Sequence, residues 1–355
     1  MKRTLRPLPL AHDYRRIQMS NHDNGPARKG VPKLEGLIHF IQVFESLGVF
    51  VLLAGLVCVA SIIAPGFSTY TNIANTIIMA SITAVTGLGM TFAIAAGGFD
   101  LSVGSVQALS AIIAASLLGV AGVALGIIGA LLTGLLLGLL NGVIISKFKI
   151  PAFVVTFGMM SIVRGVALLV TQGQSVMITK HPEFAALNNG KILTMPVPFV
   201  IALMVLGALY VILHHTPFGR HTCAIGGNRA AAIASGINVD RVTIAVFGLV
   251  GVTAAISGVM LSSQLMIVDG TLGTGLELQA IAISVLGGTS LSGGKGNLVG
   301  TLLAALLLAT IASALNILKV AAFYQYLFVG VLLIFALSVD TLRRITLAKL
   351  ILSRV

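Results

Sequence analysis

The sequence contains no tryptophan and only five tyrosines among its 355 residues. Aromatic platforms on which a ring-shaped ligand could stack are therefore scarce. The two cysteines, Cys58 in an apolar run and Cys223 in a polar stretch, do not form the spaced framework of a disulfide-rich domain. The sequence also lacks spacings typical of metal ligands, so neither a metal nor a cofactor is expected in this chain.

Charge is the next scarce feature. Only 9% of the residues are charged, whereas 57% are hydrophobic and the mean hydropathy is +1.05. An ordinary soluble domain carries roughly 25% charged residues, and one solvated core cannot bury so much apolar chain. The composition predicts an all-α, polytopic membrane protein. In a soluble protein a net charge of +12 would suggest a nucleic-acid partner. In a membrane protein the positions of the basic residues are informative instead, and no nucleic-acid partner is expected.

The apolar runs divide the chain. Residues 1–34 are predicted to be a disordered, basic cytoplasmic tail, residues 35–340 a transmembrane domain, and residues 341–355 a second cytoplasmic tail. A spanning helix needs about 20 apolar residues, fewer inside a bundle. About ten segments qualify, of which the third, fourth and eighth could be broken or re-entrant: 46–64, 73–96, 101–118, 121–145, 152–171, 198–214, 242–265, 277–290, 298–317 and 322–339.

The basic residues predict the orientation of these segments. If the N-terminal tail is cytoplasmic and all ten segments span, eighteen of the 22 lysines and arginines lie inside. Three lie outside, namely Lys180, Lys191 and Lys319, and Arg164 lies within a span. An excess of this size is what the positive-inside rule describes. It predicts that both termini are cytoplasmic.

A glycine motif occurs twice. GGFDLSVG at residues 97–104 returns as GGTSLSGG at residues 287–294, and each copy lies between two apolar segments. Internal repeats with interrupted helices are typical of transporters, and coincidence in a glycine-rich chain is the alternative. The repeats are parallel if all ten segments span and inverted if one is re-entrant. The candidates for broken helices or the translocation path are Gly97, Gly98, Asp100, Ser102, Gly104, Arg164, Gly287, Gly288 and Ser292.

Two charged members of this set allow alternative interpretations. Asp100, together with Ser102, could cap the helix that follows the glycine break, or it could face the substrate path or pair with a cation. Arg164 lies twelve residues beyond Ala152, about 18 Å into a helix, where it could snorkel outward, pair inside the bundle or contact substrate.

The second copy superficially resembles a phosphate-binding loop. However, Thr289, just before SLSGGKGN, replaces the first glycine of the motif, and Gly296 within it replaces the magnesium-binding Ser or Thr. Lys295 is therefore interpreted as a cytoplasmic topology charge, and the chain is not expected to bind ATP.

Four stretches together carry a family resemblance: GMTFAIAAGGFDLSVGSVQALS, GLLNGVIISKFKIPAFVVTFGMMSIVRGVALLVTQG, FGRHTCAIGGNRAAAIASGINVDRV and AISVLGGTSLSGGKGNLVGTLLAAL. Over about residues 45–340 the chain resembles the permease subunits of bacterial ABC importers for ribose, xylose, arabinose and similar monosaccharides. The N-terminal tail is longer than is usual for that family.

The resemblance implies a homodimeric subunit, not itself an enzyme, in the bacterial inner membrane. Its other implied partners are a cytoplasmic ATPase chain with two nucleotide-binding halves and a periplasmic sugar-binding protein. A stand-alone, ion-coupled transporter or facilitator is the alternative.

Residues 226–242 are the segment expected to meet such an ATPase. The stretch is cytoplasmic by the charge argument, and its alanines favour a short helix that Gly236 ends. Its small side chains resemble a degenerate coupling-loop motif, with a solvated connector as the alternative. The coupling candidates are Asn228, Arg229, Ala231, Ala232, Ser235, Gly236 and Ile237, and on the opposite side Asp269 and Glu277 could dock the binding protein.

Overall fold

The structure is a computed structural model that describes residues 32–179 and 181–321, with five further positions between 324 and 334. The chain divides into two units, residues 1–43 and 44–355. The features below belong to the second unit, apart from the first turns of α1. Both predicted tails, except for the start of α1 at Pro32, fall outside the described residues.

Within these residues the chain forms eleven α-helices and four two-residue strands. The helices are α1 (Pro32–Ile63), α2 (Tyr70–Ala95), α3 (Val103–Phe148), α4 (Ala152–Thr171), α5 (Pro182–Asn189), α6 (Val197–His215), α7 (Pro217–Gly227), α8 (Arg229–Ala234), α9 (Val239–Leu265), α10 (Leu276–Leu286) and α11 (Leu298–Ile317). The strands are β1 (Val176–Met177), β2 (Lys191–Ile192), β3 (Met195–Pro196) and β4 (Ile267–Val268), paired antiparallel as β1 with β4 and β2 with β3.

The apolar pattern located most helices well. The segments 152–171 and 298–317 coincide with α4 and α11, and Pro151 immediately precedes the first residue of α4. Six described helices are long and apolar enough to cross a membrane. Two shorter apolar helical stretches are Gly48–Ile63, which is part of α1, and Leu276–Leu286, which is α10. An all-α polytopic membrane protein is therefore confirmed, whereas the count of about ten spans is not. The tenth segment, 322–339, falls largely outside the described residues.

The third and fourth predicted segments lie in one helix, α3, that is broken in its middle. Gly122 has φ 78° and ψ 177°, values outside the helical region. On either side of it the chain folds back, because Gly126 lies against the carbonyl oxygen of Ala114 and Gly129 against the side chain of Leu117. Residues 103–121 and 123–148 are therefore two arms that pack side by side.

Small residues join the second arm of α3 to α9. Gly134, Gly138 and Gly142 recur at every fourth position, and each lies directly against the α9 backbone near Gly251, Phe247 and Ile244, respectively. Glycines at this spacing let two membrane helices approach closely enough for backbone-to-backbone packing. This contact holds the second arm of α3 against α9.

Helix α2 is the most buried of the six spans, with 83% of its apolar window inside the protein. Near its first residue, the Lys191 ammonium lies 4.8 Å from the centre of the Tyr70 ring. At its last residue, Ala95 lies against Gly226 and Gly294. Lys191, predicted to be external, and the loop with Lys295, predicted to be cytoplasmic, are thus at opposite ends of a helix about 39 Å long.

Candidate translocation path and coupling loop

The first glycine motif begins where α2 ends. The amide of Gly97 donates to the carbonyl of Ile94, and that of Gly98 donates to the carbonyl of Ala93, each over 2.9 Å. This pair of bonds is the Schellman arrangement, which needs a left-handed residue after the helix. Gly97, at φ 84°, supplies that conformation. The chain can then leave the helix with its final carbonyl groups satisfied.

The second motif ends α10 in the same way. The amide of Gly288 donates to Val285 and the amide of Thr289 donates to Ser284, and Gly288 has φ 94°. The two copies thus share a structural device, but the equivalent residues are Gly97 and Gly288. The sequence alignment of the motif paired Gly97 with Gly287 and is therefore shifted by one residue at this turn.

Asp100 is buried within a small polar cluster at the start of α3. Its Oδ1 accepts hydrogen bonds from the Ser102 amide (2.8 Å) and the Ser102 hydroxyl (2.6 Å). The Asn141 side-chain amide, from the second arm of α3, donates to Ser102 Oγ at 2.9 Å and to Asp100 Oδ2 at 3.5 Å. Asp100 thus accepts from the amide of Ser102, the residue that precedes α3, whereas Ser102 itself makes no side-chain cap bond to the helix. Asn141 links the start of the first arm to the second.

In the second motif, the residues aligned with Asp100 and Ser102 are Ser290 and Ser292, whose hydroxyl oxygens lie 3.2 Å apart. Ser292 is exposed, whereas Ser102 is fully buried. The two copies share their turn, but the second has neither a carboxylate nor the same degree of burial. The two serines therefore differ in their surroundings, and a path role for Ser292 stays a prediction.

A loop between β4 and α10 folds against the start of α3. A Cβ on Gly104 would overlap the carbonyl oxygen of Gly273 and crowd the Glu277 carboxylate. Gln107, one turn further along α3, donates to Ser257 Oγ at 2.7 Å, while its own Oε1 is buried beside Gly273 without a hydrogen-bond partner. Sequence reasoning missed Gln107. Its signal was an amide in an otherwise apolar or small-residue run.

Arg164 reaches into the same loop from α4. Its Nη1 donates to the main-chain carbonyls of Gly270 and Leu272, both at 2.7 Å. The carboxylates of Glu277 and Asp269 lie within electrostatic range of the guanidinium. The Asp269 carboxylate also accepts from the amide and hydroxyl of Thr271. A path candidate and two docking candidates, predicted separately, therefore belong to one polar cluster, and all three are half-buried.

We call residues 228–237 the coupling loop. The Asn228 side chain accepts from the Ala231 amide and begins α8, and Gly236, at φ 80°, ends it with another Schellman pair. Most of the loop is exposed: Asn228, Arg229, Ala231, Ser235 and Gly236.

Ala232 and Ile237 are exceptions to this exposure. Ala232 is only 4% exposed and packs into the protein's own core, whereas its neighbour Ile233 is 58% exposed. Ile237 is half-buried against the same core. The large apolar side chain that this loop exposes is therefore Ile233, which was not among the predicted residues, whereas Ala232 is buried.

Basic residues predicted to share one membrane side also lie together. The Lys149 ammonium, just after α3, forms a 2.7 Å ion pair with Asp240 at the start of α9. Lys147 and Arg229 contribute to the field at the same carboxylate. The coupling loop thus lies beside a basic surface. In the described part of the chain, no group of three or more His, Cys, Asp or Glu side chains could hold a metal ion.

Comparison of the sequence with known proteins places this chain in a family. The family described as branched-chain amino acid transport system / permease component matches residues 72–337. The ribose import permease protein of Bacillus subtilis (strain 168) is 41% identical over 306 residues, which make up 85% of this chain and 95% of that protein.

Two further relatives are permeases named for other sugars. The L-arabinose ABC transporter permease protein of Azospirillum brasilense is 36% identical over 307 residues, 85% of this chain and 89% of that protein. The D-allose transport system permease protein of Escherichia coli (strain K12) is 34% identical over 307 residues, 86% of this chain and 94% of that protein. No solved structure matches this chain.

Proposed function

The chain belongs to the branched-chain amino acid transport system / permease component family, and on that premise we propose that it is the membrane subunit of an ATP-driven monosaccharide importer. The observation that carries the choice of substrate is the near full-length similarity to permeases named for ribose, L-arabinose and D-allose. A pentose or hexose is the substrate class that these names share. The direction of transport is into the cytoplasm.

The proposed assembly contains two copies of this chain in a bacterial inner membrane, with both termini cytoplasmic. The cluster of Lys147, Lys149 and Arg229 around Asp240 supports a common cytoplasmic side for the coupling loop, the end of α3 and the start of α4. A separate ATPase chain with two nucleotide-binding halves hydrolyses ATP, and a periplasmic binding protein delivers the sugar.

The coupling loop is the proposed contact with the ATPase. Ile233 is an exposed apolar side chain on a short helix with small neighbours, a shape that lets the helix seat closely in a groove of a partner. On the external side, the cluster of Arg164, Asp269 and Glu277 is the proposed entrance of the path. There Arg164 holds the loop 269–275 over Gly104 and Gln107.

The test is reconstitution of the chain with its ATPase and sugar-binding protein in lipid vesicles. We expect uptake of radiolabelled ribose, arabinose or allose that requires ATP inside and binding protein outside. The chain purified alone should neither bind nor hydrolyse ATP. Saturable nucleotide binding by the isolated chain would contradict the proposal, and sugar uptake by the chain alone in response to an ion gradient would favour a secondary transporter.

A further inference from the structure

Three glycine-containing stretches from distant parts of the sequence meet at one point. The amide of Gly294, in the second glycine motif, donates a 2.9 Å hydrogen bond to the carbonyl of Ala95, the last residue of α2. Gly226, near the end of α7, lies against both partners of this bond. The ends of α2 and α7 and the link between α10 and α11 are therefore joined through their backbones.

Gly226 fits there only because it has no side chain. A Cβ at this position would overlap the Ala95 carbonyl oxygen and lie 2.7 Å from the Gly294 amide nitrogen. From the other side, a Cβ on Gly293 would lie 2.7 to 2.9 Å from the Gly226 backbone. Contacts between backbones have no flexible side chain to absorb movement, so a displacement of one partner is passed to the others.

The same end of α7 leads directly into the coupling loop. Gly226 is separated from Asn228, the residue that caps α8, by Gly227 alone. One turn earlier, the Cys223 sulfur accepts from the amide of Gly296, two residues beyond the second motif. Movement of α8 is thereby tied, at two successive turns of α7, to the second motif and to the residues that directly follow it.

We propose that Gly226 is the positioning residue that transmits movement of the coupling loop to both glycine motifs at once. This proposal rests on the proposed function, because it assumes that an ATPase moves α8. Pushing α8 displaces Gly226, and Gly226 shifts the end of α2 together with the link between α10 and α11. The two copies of the motif then respond to one stroke as a unit.

The first experiment compares Gly226→Ala with Gly227→Ala in the complete importer. Both residues lie at the end of α7, but a Cβ on Gly227 would meet only the Gly294 Cα, at an ordinary 3.8 Å. Each variant is reconstituted in vesicles with the ATPase and binding protein. ATPase co-purification, ATP hydrolysis and sugar uptake are then measured on the same preparation.

Gly226→Ala should retain the ATPase but import about tenfold fewer sugars per ATP, because the added methyl group separates the three backbones that must move together. Gly227→Ala should match the unmodified chain. Equal coupling ratios for the two variants would overturn the proposal. If the unmodified chain neither retains the ATPase nor imports sugar, the proposed function itself fails, so the two failures are distinguishable.

A second measurement tests the proposal without Gly226→Ala, in case that variant does not fold. Cys58→Ser leaves Cys223 as the only cysteine, beside the junction. Burial raises the pKa of the Cys223 thiol, so little thiolate exists at neutral pH and maleimide labelling is slow while the contact is closed. Labelling should accelerate when the ATPase is trapped with ATP and vanadate. Identical labelling rates with and without trapping would show that the junction does not move, and would overturn the proposal.

Discussion

The guanidinium of Arg164 donates a 2.7 Å hydrogen bond to the main-chain carbonyl of Gly270, across the interface between α4 and the loop 269–275. The same nitrogen also donates to Leu272. Hydrogen bonds from a charged donor are roughly twice as strong as neutral ones, and two carbonyls on one loop constrain its position. Arg164 therefore fixes the loop that lies over Gly104 and Gln107.

Removing this charge should loosen the loop. Arg164→Gln is expected to lower the initial rate of sugar uptake about tenfold, because hydrogen bonds to a charged group contribute about 1.5 to 3 kcal/mol. Arg164→Lys, which keeps the charge on a shorter-reaching donor, should show an intermediate rate. The measurement is uptake into vesicles at equal amounts of assembled importer. Wild-type uptake by Arg164→Gln would show that the loop is not held through this side chain.

The cluster around Arg164 illustrates how far the sequence alone could lead. Apolar periodicity and charge predicted Arg164 inside one span. They predicted Asp269 and Glu277 on the external side, in and after a different loop. Their convergence depends on how the loop 269–275 folds back after β4, which is a tertiary contact without a local sequence signal. Gln107, which lies against Gly273 of this loop, was overlooked although it is an amide in an otherwise apolar or small-residue run.

Asp100 provides a second test, which compares two uncharged replacements. In Asp100→Asn the side-chain oxygen can still accept from the Ser102 amide, whereas Asp100→Leu leaves both Ser102 donors unpaired in a buried site. Each unpaired buried group costs about 1 to 3 kcal/mol. Thermal unfolding in detergent should therefore show a clearly lower midpoint for the leucine variant than for the asparagine variant. Equal midpoints with loss of transport would instead favour a role for Asp100 in the path.

The helix boundaries were the most predictable part of the fold, and the connections were the least. The helix α3 is interrupted at Gly122. Its two arms were predicted as separate apolar segments because the whole apolar stretch is too long for one span. The one-residue shift between the two glycine motifs could not be predicted, since sequence identity aligns Gly97 with Gly287 and only the position of the left-handed residue reveals Gly288 as its partner.

Packing between α3 and α9 gives a third prediction. A Cβ on Gly138 would overlap the carbonyl oxygen of Phe247, whereas a Cβ on Gly158 of α4 would have no neighbour within 4 Å. Gly138→Ala should lower the free energy of unfolding by about 1 to 3 kcal/mol, the usual cost of overpacking. Gly158→Ala is the matched control and should leave the unfolding midpoint unchanged or slightly raised. Equal midpoints for the two variants would mean that the α3 and α9 backbones are not in direct contact.

The coupling loop gives the last prediction, in which two adjacent residues have opposite roles. Ile233 is 58% exposed, so Ile233→Asp should leave folding intact but place a charge in the proposed ATPase contact. Loss of a well-packed interface anchor can cost about 2 kcal/mol or more, so ATPase co-purification and sugar-stimulated ATP hydrolysis should both fall. Ala232 is 4% exposed, so Ala232→Arg should instead lower the thermal stability of the permease itself.

Gly236 is unsuitable for this test, because a side chain at φ 80° strains the backbone regardless of any partner. The measurements are the unfolding midpoint of each purified variant and the amount of ATPase retained with it. If Ile233→Asp retains the ATPase and imports sugar at the unmodified rate, α8 is a solvated connector and the ATPase binds elsewhere.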